Sequence, residues 1–180
     1  MRIRGLSRSV LPVLATLSVL LSVPAWAAPP VPAVWVRRHV QFFYQSFTTR
    51  FTCDGLRNQI ENMLLRLGAR DVHVREIGCA GIGPQSSPGV DATLQVLVPA
   101  AAGQPHVAAA WRKVVLISGR ASLEQAGDCD LAAQFRHKVL PVFPARDIVL
   151  RASCVPHLID IGTYLSADVL FPVPPAHQGR

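Results

Sequence analysis

Four cysteines are the residues of this 180-residue chain whose chemistry is easiest to predict: Cys53, Cys79, Cys129 and Cys154. An even number of cysteines in a chain that leaves the cytoplasm is typical of disulfides, and four cysteines allow three connectivities. No pair has the Cys-x-x-Cys spacing of redox centres and many zinc sites. We therefore predict two structural disulfides, with no cofactor and no metal.

The histidines and acids form no catalytic or metal-binding motif either. None of the six histidines has a His-x-x-x-His or His-Glu-x-x-His spacing. His39 and His73 would come close on neighbouring strands, but a metal site there would lack a third ligand. No catalytic residue can be named, so an enzyme is the less favoured interpretation. The enzymatic alternative is a small hydrolase or metal-dependent enzyme with its site in the loops near His157 and Asp160.

An internal repeat organises the chain. Cys53-Asp54 recurs 76 positions later as Cys129-Asp130, and the same offset relates two Ala-Arg-Asp turns and two tryptophans. These are Ala69-Arg70-Asp71 with Ala145-Arg146-Asp147, and Trp35 with Trp111. A period that recurs across a whole unit indicates a duplicated structural element. It favours the disulfides Cys53–Cys79 and Cys129–Cys154, because each repeat then contains its own bridge. For the turns we expect a structural role, in which the arginine bonds the last helix carbonyls.

The first 27 residues have the pattern of a secretory signal peptide. Arg2, Arg4 and Arg8 precede an uncharged apolar stretch, and Ala25-Trp26-Ala27 supplies the small residues of a cleavage site. Cleavage would remove three of the 18 basic residues and none of the 11 acidic ones, which changes the net charge from +7 to +4. The sequence thus predicts a periplasmic or secreted protein with no membrane span after leader removal. Without clustered basic residues, nucleic acid is not an expected partner.

The hydrophobic pattern predicts a β-α-β-β order in each repeat. Residues 28–33 form an extended lead-in, residues 34–172 form a single domain made of repeat 1 (34–99) and repeat 2 (110–172), and residues 173–180 form a disordered tail. Leu56, Ile60 and Met63 recur at helical spacing, whereas Ala92 and Leu94 belong to an alternating strand. One helix cannot cover a core alone. We therefore expect a two-layer α+β sandwich, with both helices on one face of a mainly antiparallel six-stranded sheet.

This arrangement leaves one sheet face without helices, which we call the outer face. Alternation assigns to it the polar residues Gln41, His73, Arg75, Thr93, Gln95, Lys113 and Arg151, and the apolar residues Phe43, Ile77, Leu97, Val115 and Ile117. A mixed basic and apolar face suits binding, although antiparallel sheets often leave one face in water.

We therefore predict a disulfide-stabilised binding or interaction module. Its predicted binding residues are Gln41, His73, Arg75, Gln95 and Arg151. The expected partner is a protein or an anionic component of the cell envelope. A structural homodimer that packs through the outer face is the remaining alternative.

Five motifs of the chain resemble those of a set of exported proteobacterial proteins. They are Thr-Cys-Asp-Gly-Leu from Thr52, Leu-Gly-Ala-Arg-Asp from Leu67, Gly-Asp-Cys-Asp-Leu from Gly127, Pro-Val-Phe-Pro-Ala-Arg-Asp from Pro141, and Cys-Val-Pro-His from Cys154. The resemblance spans most of the mature chain and implies export. No activity is known for that set, so the resemblance implies nothing about a site.

Overall fold

The structure, a computed structural model, describes residues 29–46, 50–81, 83–118, 128–152, 154 and 162–174. The first unit contains β1 (Val31–Phe43), α1 (Cys53–Arg66), β2 (Arg70–Ile77) and β3 (Gly89–Pro99). The second unit contains β4 (Val107–Ser118), α2 (Asp128–Lys138), a 3-10 turn (Leu140–Val142), β5 (Arg146–Arg151) and β6 (Tyr164–Pro172). Within these ranges, neither helix is long and apolar enough to cross a membrane. The predicted signal peptide lies outside the described residues.

All six strands join one sheet in the order β2-β3-β1-β4-β6-β5. Every neighbouring pair in this sheet is antiparallel. The predicted α+β class with a six-stranded antiparallel sheet and two helices is therefore confirmed. β1 begins at Val31, inside the segment that we predicted as an extended lead-in.

The strand registers of the two units correspond. The matching pairs are Trp35–Leu97 with Trp111–Leu170, and Arg75–Asp91 with Arg151–Tyr164. Both edge ladders also shift register after the first arginine of the edge strand, which is Arg70 in β2 and Arg146 in β5. These matches are compatible with two tandem β-α-β-β units. They allow each residue of one unit to be compared with its counterpart in the other.

The main core combines residues of both helices with residues of the sheet. Thr52 caps α1 by accepting a hydrogen bond from the backbone N–H of Gly55 at 3.2 Å. The apolar stripe of this helix is at most 1 % exposed at Leu56, Ile60, Met63, Leu64 and Leu67. Leu131 and Phe135 of α2 enter the same buried cluster. One shared cluster is compatible with both helices on one face of the sheet. In that arrangement no helix covers the outer face.

The two units meet at a short seam between their first strands. β1 and β4 pair over three positions, which are Val31 with Ala109, Pro32 with Ala108, and Ala33 with Val107. Away from this seam, the end of each helix binds a strand of the other unit. Arg66 of α1 donates to the carbonyls of Val115 and Leu116, and Lys138 of α2 donates to that of Phe43 at 3.1 Å. These bonds add contacts between the units beyond the short seam.

One residue that we predicted on the outer face lies in the main core instead. Ile117 is 6 % exposed, pairs with Leu165 and belongs to the buried cluster. The register of β4 shifts between Val115 and Ile117. A bulge adds one residue to a strand, and one added residue moves every following side chain to the opposite face. The sequence pattern alone does not reveal such an insertion.

Two disulfides join Cys53 to Cys79 and Cys129 to Cys154. The predicted pairing is therefore confirmed. Each bridge connects the first turn of a helix to the segment that follows the edge strand. The sequence separations are 26 and 25 residues, so the two closed loops are nearly equal in length.

Removing either disulfide should lower the free energy of unfolding by a similar amount. A closed loop of this length restricts the unfolded chain and contributes roughly 3–4 kcal/mol on the chain-entropy estimate. We expect about this loss for Cys53→Ala with Cys79→Ala, and again for Cys129→Ala with Cys154→Ala, in urea denaturation. A negligible loss for one pair would contradict equivalent roles of the two bridges.

Candidate functional site

The two Ala-Arg-Asp turns redirect the start of each edge strand. Asp71 and Asp147 both have a φ of +49°, a left-handed conformation that aspartate adopts more readily than most residues. Each turn coincides with the register shift at the start of β2 or β5. Irregularities of this kind aim neighbouring side chains away from the regular pleat.

The arginine of each turn stacks on a tryptophan of the outer face. The guanidinium of Arg70 lies 4.0 Å from the ring centroid of Trp35, and that of Arg146 lies 4.2 Å from the ring centroid of Trp111. Arg70 also donates twice to Gln95 Oε1 at 3.0 Å. The arginines of both turns therefore contact tryptophans and strands, where we expected helix carbonyls.

The tryptophans complete a second, smaller core on the outer face. Ala33, Leu97, Ala109 and Leu170 are buried there and pack against Trp35 and Trp111. The two leucines are each 3 % exposed. Leu97, which we predicted as an apolar residue of an open surface, is therefore already covered. This part of the outer face presents arginine to solvent in place of aliphatic side chains.

Beside this small core, the first unit arranges nine side chains in three rows, which we call the polar rows. Read from β2 across β3 to β1, the rows are Arg70–Gln95–Arg37, His73–Thr93–His39 and Arg75–Asp91–Gln41. Neighbouring strands lie about 4.8 Å apart, so each row spans about 10 Å. Five of the six flanking residues are arginine or histidine. With three arginines against the one aspartate, the polar rows form a basic surface around Thr93.

The carboxylate of Asp91 is the buried centre of the polar rows. Its side chain is 6 % exposed. Its Oδ2 lies 2.9 Å from Gln41 Nε2, 3.1 Å from His39 Nε2 and 3.2 Å from Arg75 Nη2. The hydrogen bond from Gln41, followed by those from Arg75 and His39, lowers the pKa of Asp91 well below its usual range. Each donor stabilises the ionised carboxylate, which in return fixes the three donor side chains.

A depression of about 580 Å³ extends from the polar rows around the edge strand β2 to the side of α1. Its lining consists of His39, His73, Arg75, Asp91 and Thr93 from the polar rows, of Val72 and Val74, and of Glu61 from α1. The side chains of Arg75 and His39 are 75 % and 54 % exposed. Both can therefore bind Asp91 and still offer polar atoms to a ligand in the depression.

The second unit lacks this combination of residues. Its corresponding rows are Arg146–Asp168–Lys113, Val149–Ser166–Val115 and Arg151–Tyr164–Ser118. Valines replace both histidines of the middle row, and a tyrosine replaces Asp91. The Arg–Trp stacks, the small core and three permanently charged basic residues occur in both units, whereas the two histidines and the buried carboxylate with three donors occur in the first.

The structure brings four of the five predicted binding residues into one area. Gln41 and Arg75 bind Asp91, and His73 lines the depression. Gln95 lies one row away, where it accepts the hydrogen bonds of Arg70. Arg151 lies apart, on the strand at the opposite edge of the sheet, with its guanidinium 6.0 Å from the Tyr164 ring centroid.

The sequence analysis did not recognise Asp91 as part of a site. The alternation of β3 gives the face of Asp91, whereas its three partners come from two other strands whose register the pattern does not give. One feature of the sequence could have indicated Asp91 as a site residue: it is an acid on a strand face whose other charged residues are basic.

The described residues contain no group of three or more His, Cys, Asp or Glu side chains that could hold a metal ion. His39 and His73 share a row but are separated by Thr93, two strands apart. His157 and Asp160, the residues of the predicted enzymatic alternative, lie outside the described residues.

Comparisons of the chain with protein-family models, curated proteins and solved structures find no match. The interpretation of the site therefore depends on its own geometry and charge.

Replacing Asp91 should remove a stabilising contribution that depends on pH. The pKa of Asp91 is lower in the folded protein than in the unfolded chain, where it is about 3.9. The ionised carboxylate therefore stabilises the fold above about pH 4, and this contribution disappears as the pH falls towards the folded-state pKa. We expect Asp91→Asn to unfold more easily than the wild type at pH 7, with a difference that shrinks below about pH 4.

Chemical denaturation across this pH range measures the effect. Asp71→Asn is the control, because Asp71 is exposed and asparagine accepts its left-handed conformation. A difference between Asp91→Asn and the wild type that stays constant from neutral to acidic pH would show that Asp91 does not stabilise the fold through its charge.

Proposed function

We propose that this protein is an exported, disulfide-stabilised binding module that holds an anionic group of its partner at the polar rows of the first unit. The observation that carries the proposal is the arrangement of Arg75 and two histidines around the buried Asp91, which the second unit does not repeat. Two units that share a scaffold but differ in one surface indicate that this surface serves something other than the fold. The partner is a protein or a component of the cell envelope.

The charge of the polar rows favours an anion. Arg37, Arg70 and Arg75 carry permanent positive charge, and the ring nitrogens of two histidines add hydrogen-bonding groups. The negative charge of Asp91 is already compensated by its three donors. A basic depression of this kind attracts anions over several ångströms and orients them on contact.

Export is supported by two independent features of the chain. The first 27 residues have the composition of a cleavable leader. Both disulfides are of a type that persists in oxidising compartments and is rare in the cytoplasm. We therefore place the protein in the periplasm or the extracellular medium.

The homodimer through the outer face receives less support. Its apolar residues Leu97 and Leu170 are already buried against tryptophans. Face-to-face packing of two copies would also bring the polar rows of both copies, with their arginines, towards like charges. The binding module is therefore the better interpretation of the outer face.

The proposal predicts that equivalent arginines have unequal effects on anion binding. We expect Arg75→Ala to weaken binding of poly-L-glutamate or sodium polyphosphate about five-fold, or roughly 1 kcal/mol, because Arg75 lines the depression. Arg151→Ala removes the same charge from the corresponding position of the second unit and should change the affinity less than two-fold, or about 0.4 kcal/mol. Isothermal titration calorimetry at low ionic strength measures both.

Because Arg75 also supports Asp91, His73→Ala provides a second test. His73 is exposed, so this change should weaken binding while leaving the melting temperature unchanged. If Arg75→Ala and Arg151→Ala weakened the affinity for the polyanions equally, the effect would follow from net charge alone, and the proposed site would be refuted. Absence of binding to both polyanions would refute the proposed function.

A further inference from the structure

We infer that the polar rows of the first unit recognise a phosphoryl group, an inference that rests on the proposed function and narrows the class of anion. The site combines histidine, threonine and arginine side chains from three strands around one depression. The second unit supplies the comparison, since it has valines in place of both histidines and keeps an arginine and a hydroxyl at the other two positions.

The spread of the polar groups favours a tetrahedral anion. His39 and His73 flank Thr93 from opposite sides in a row that spans about 10 Å, and Arg75 lies in the next row. A phosphoryl group has three terminal oxygens that point in different directions, so it can bind several of these residues at once. A carboxylate has two oxygens in one plane, and a single arginine fork satisfies it.

Arg75 is held in place before the ligand arrives. Asp91 accepts a hydrogen bond from Nη2 of Arg75, whereas the side chain as a whole is 75 % exposed. The remaining N–H groups can therefore bind an oxyanion, and the restrained side chain loses less conformational entropy on binding than a free one. His39 is restrained by the same carboxylate at 3.1 Å.

The charges that surround the depression come from three strands and one helix. β2 contributes Arg70, His73 and Arg75, β1 contributes Arg37 and His39, β3 contributes Asp91, and α1 contributes Glu61. Glu61 is the carboxylate of this lining for which no compensating donor is described. The negative charge of Glu61 should weaken the binding of an anion and strengthen that of a cation. The change in affinity when Glu61 is replaced therefore shows the sign of the ligand charge.

The experiment uses the oxidised, exported chain labelled with ¹⁵N and titrated with inorganic phosphate. We expect saturable shifts of the amide signals of His39, His73 and Thr93. Glutarate, a dicarboxylate, serves as the competing class at equal ionic strength and should bind at least ten-fold more weakly. Vesicles of phosphatidylcholine with phosphatidic acid test whether the phosphoryl group belongs to a lipid. If the protein sediments with these vesicles but not with pure phosphatidylcholine, a lipid is the source.

Variants that copy the second unit locate the phosphate. His39→Val with His73→Val reproduces Val115 and Val149, and should weaken phosphate binding at least ten-fold. His73→Val alone leaves the bonds to Asp91 intact and should weaken it about three-fold. Glu61→Gln should strengthen binding about two-fold, and Arg151→Ala should leave it unchanged. Thermal melts confirm that each variant is folded.

The outcomes separate this inference from the proposed function. Equal affinity for glutarate and phosphate, with the same sensitivity to the variants, would overturn the phosphoryl inference and leave the anion-binding module intact. Phosphate binding that ignores the histidine changes, or that weakens in Glu61→Gln, would also overturn it. Failure to bind phosphate and phosphatidic acid while polyglutamate binds would have the same consequence.

Discussion

The stacking of arginine on tryptophan is the interaction on which the outer face depends. A sheet with helices on one side leaves its other side to water, and here that side contains leucines near its centre. Trp35 packs against the small core that contains Leu97, and Arg70 lies over the indole ring; the second unit repeats the arrangement. A guanidinium therefore meets solvent where an apolar patch would otherwise invite aggregation. The left-handed aspartate beside each arginine belongs to the same turn.

Once this cover is in place, the rest of the outer face is free to differ between the units. The rows that contain the stacking arginines remain charged in both, because the small core needs them. The other rows are not needed to cover the small core. In those rows the first unit carries histidines and Asp91, where the second carries valines and Tyr164. A duplicated scaffold thus separates the residues that the fold requires from those available for binding.

The sequence predicted the features that depend on local pattern or on the repeat. Helical spacing gave the buried stripe of α1, alternation gave the strands, and the repeat gave both disulfides. The sequence did not predict features that depend on how the strands pair. The bulge before Ile117 has no signature in the alternation of β4, and the three donors of Asp91 are set by a register between strands distant in sequence. The same limit applies to Arg70, whose contact with Trp35 follows from the turn geometry.

The seam between β1 and β4 is symmetric. Its pairs, Val31–Ala109, Pro32–Ala108 and Ala33–Val107, exchange places when the 76-residue offset is applied, so a local two-fold axis passes between Pro32 and Ala108. An interface with this symmetry is isologous, because the same segment of each unit faces its own counterpart. A change made at equivalent positions of both units therefore alters the seam twice, whereas a change on the polar rows alters the first unit alone.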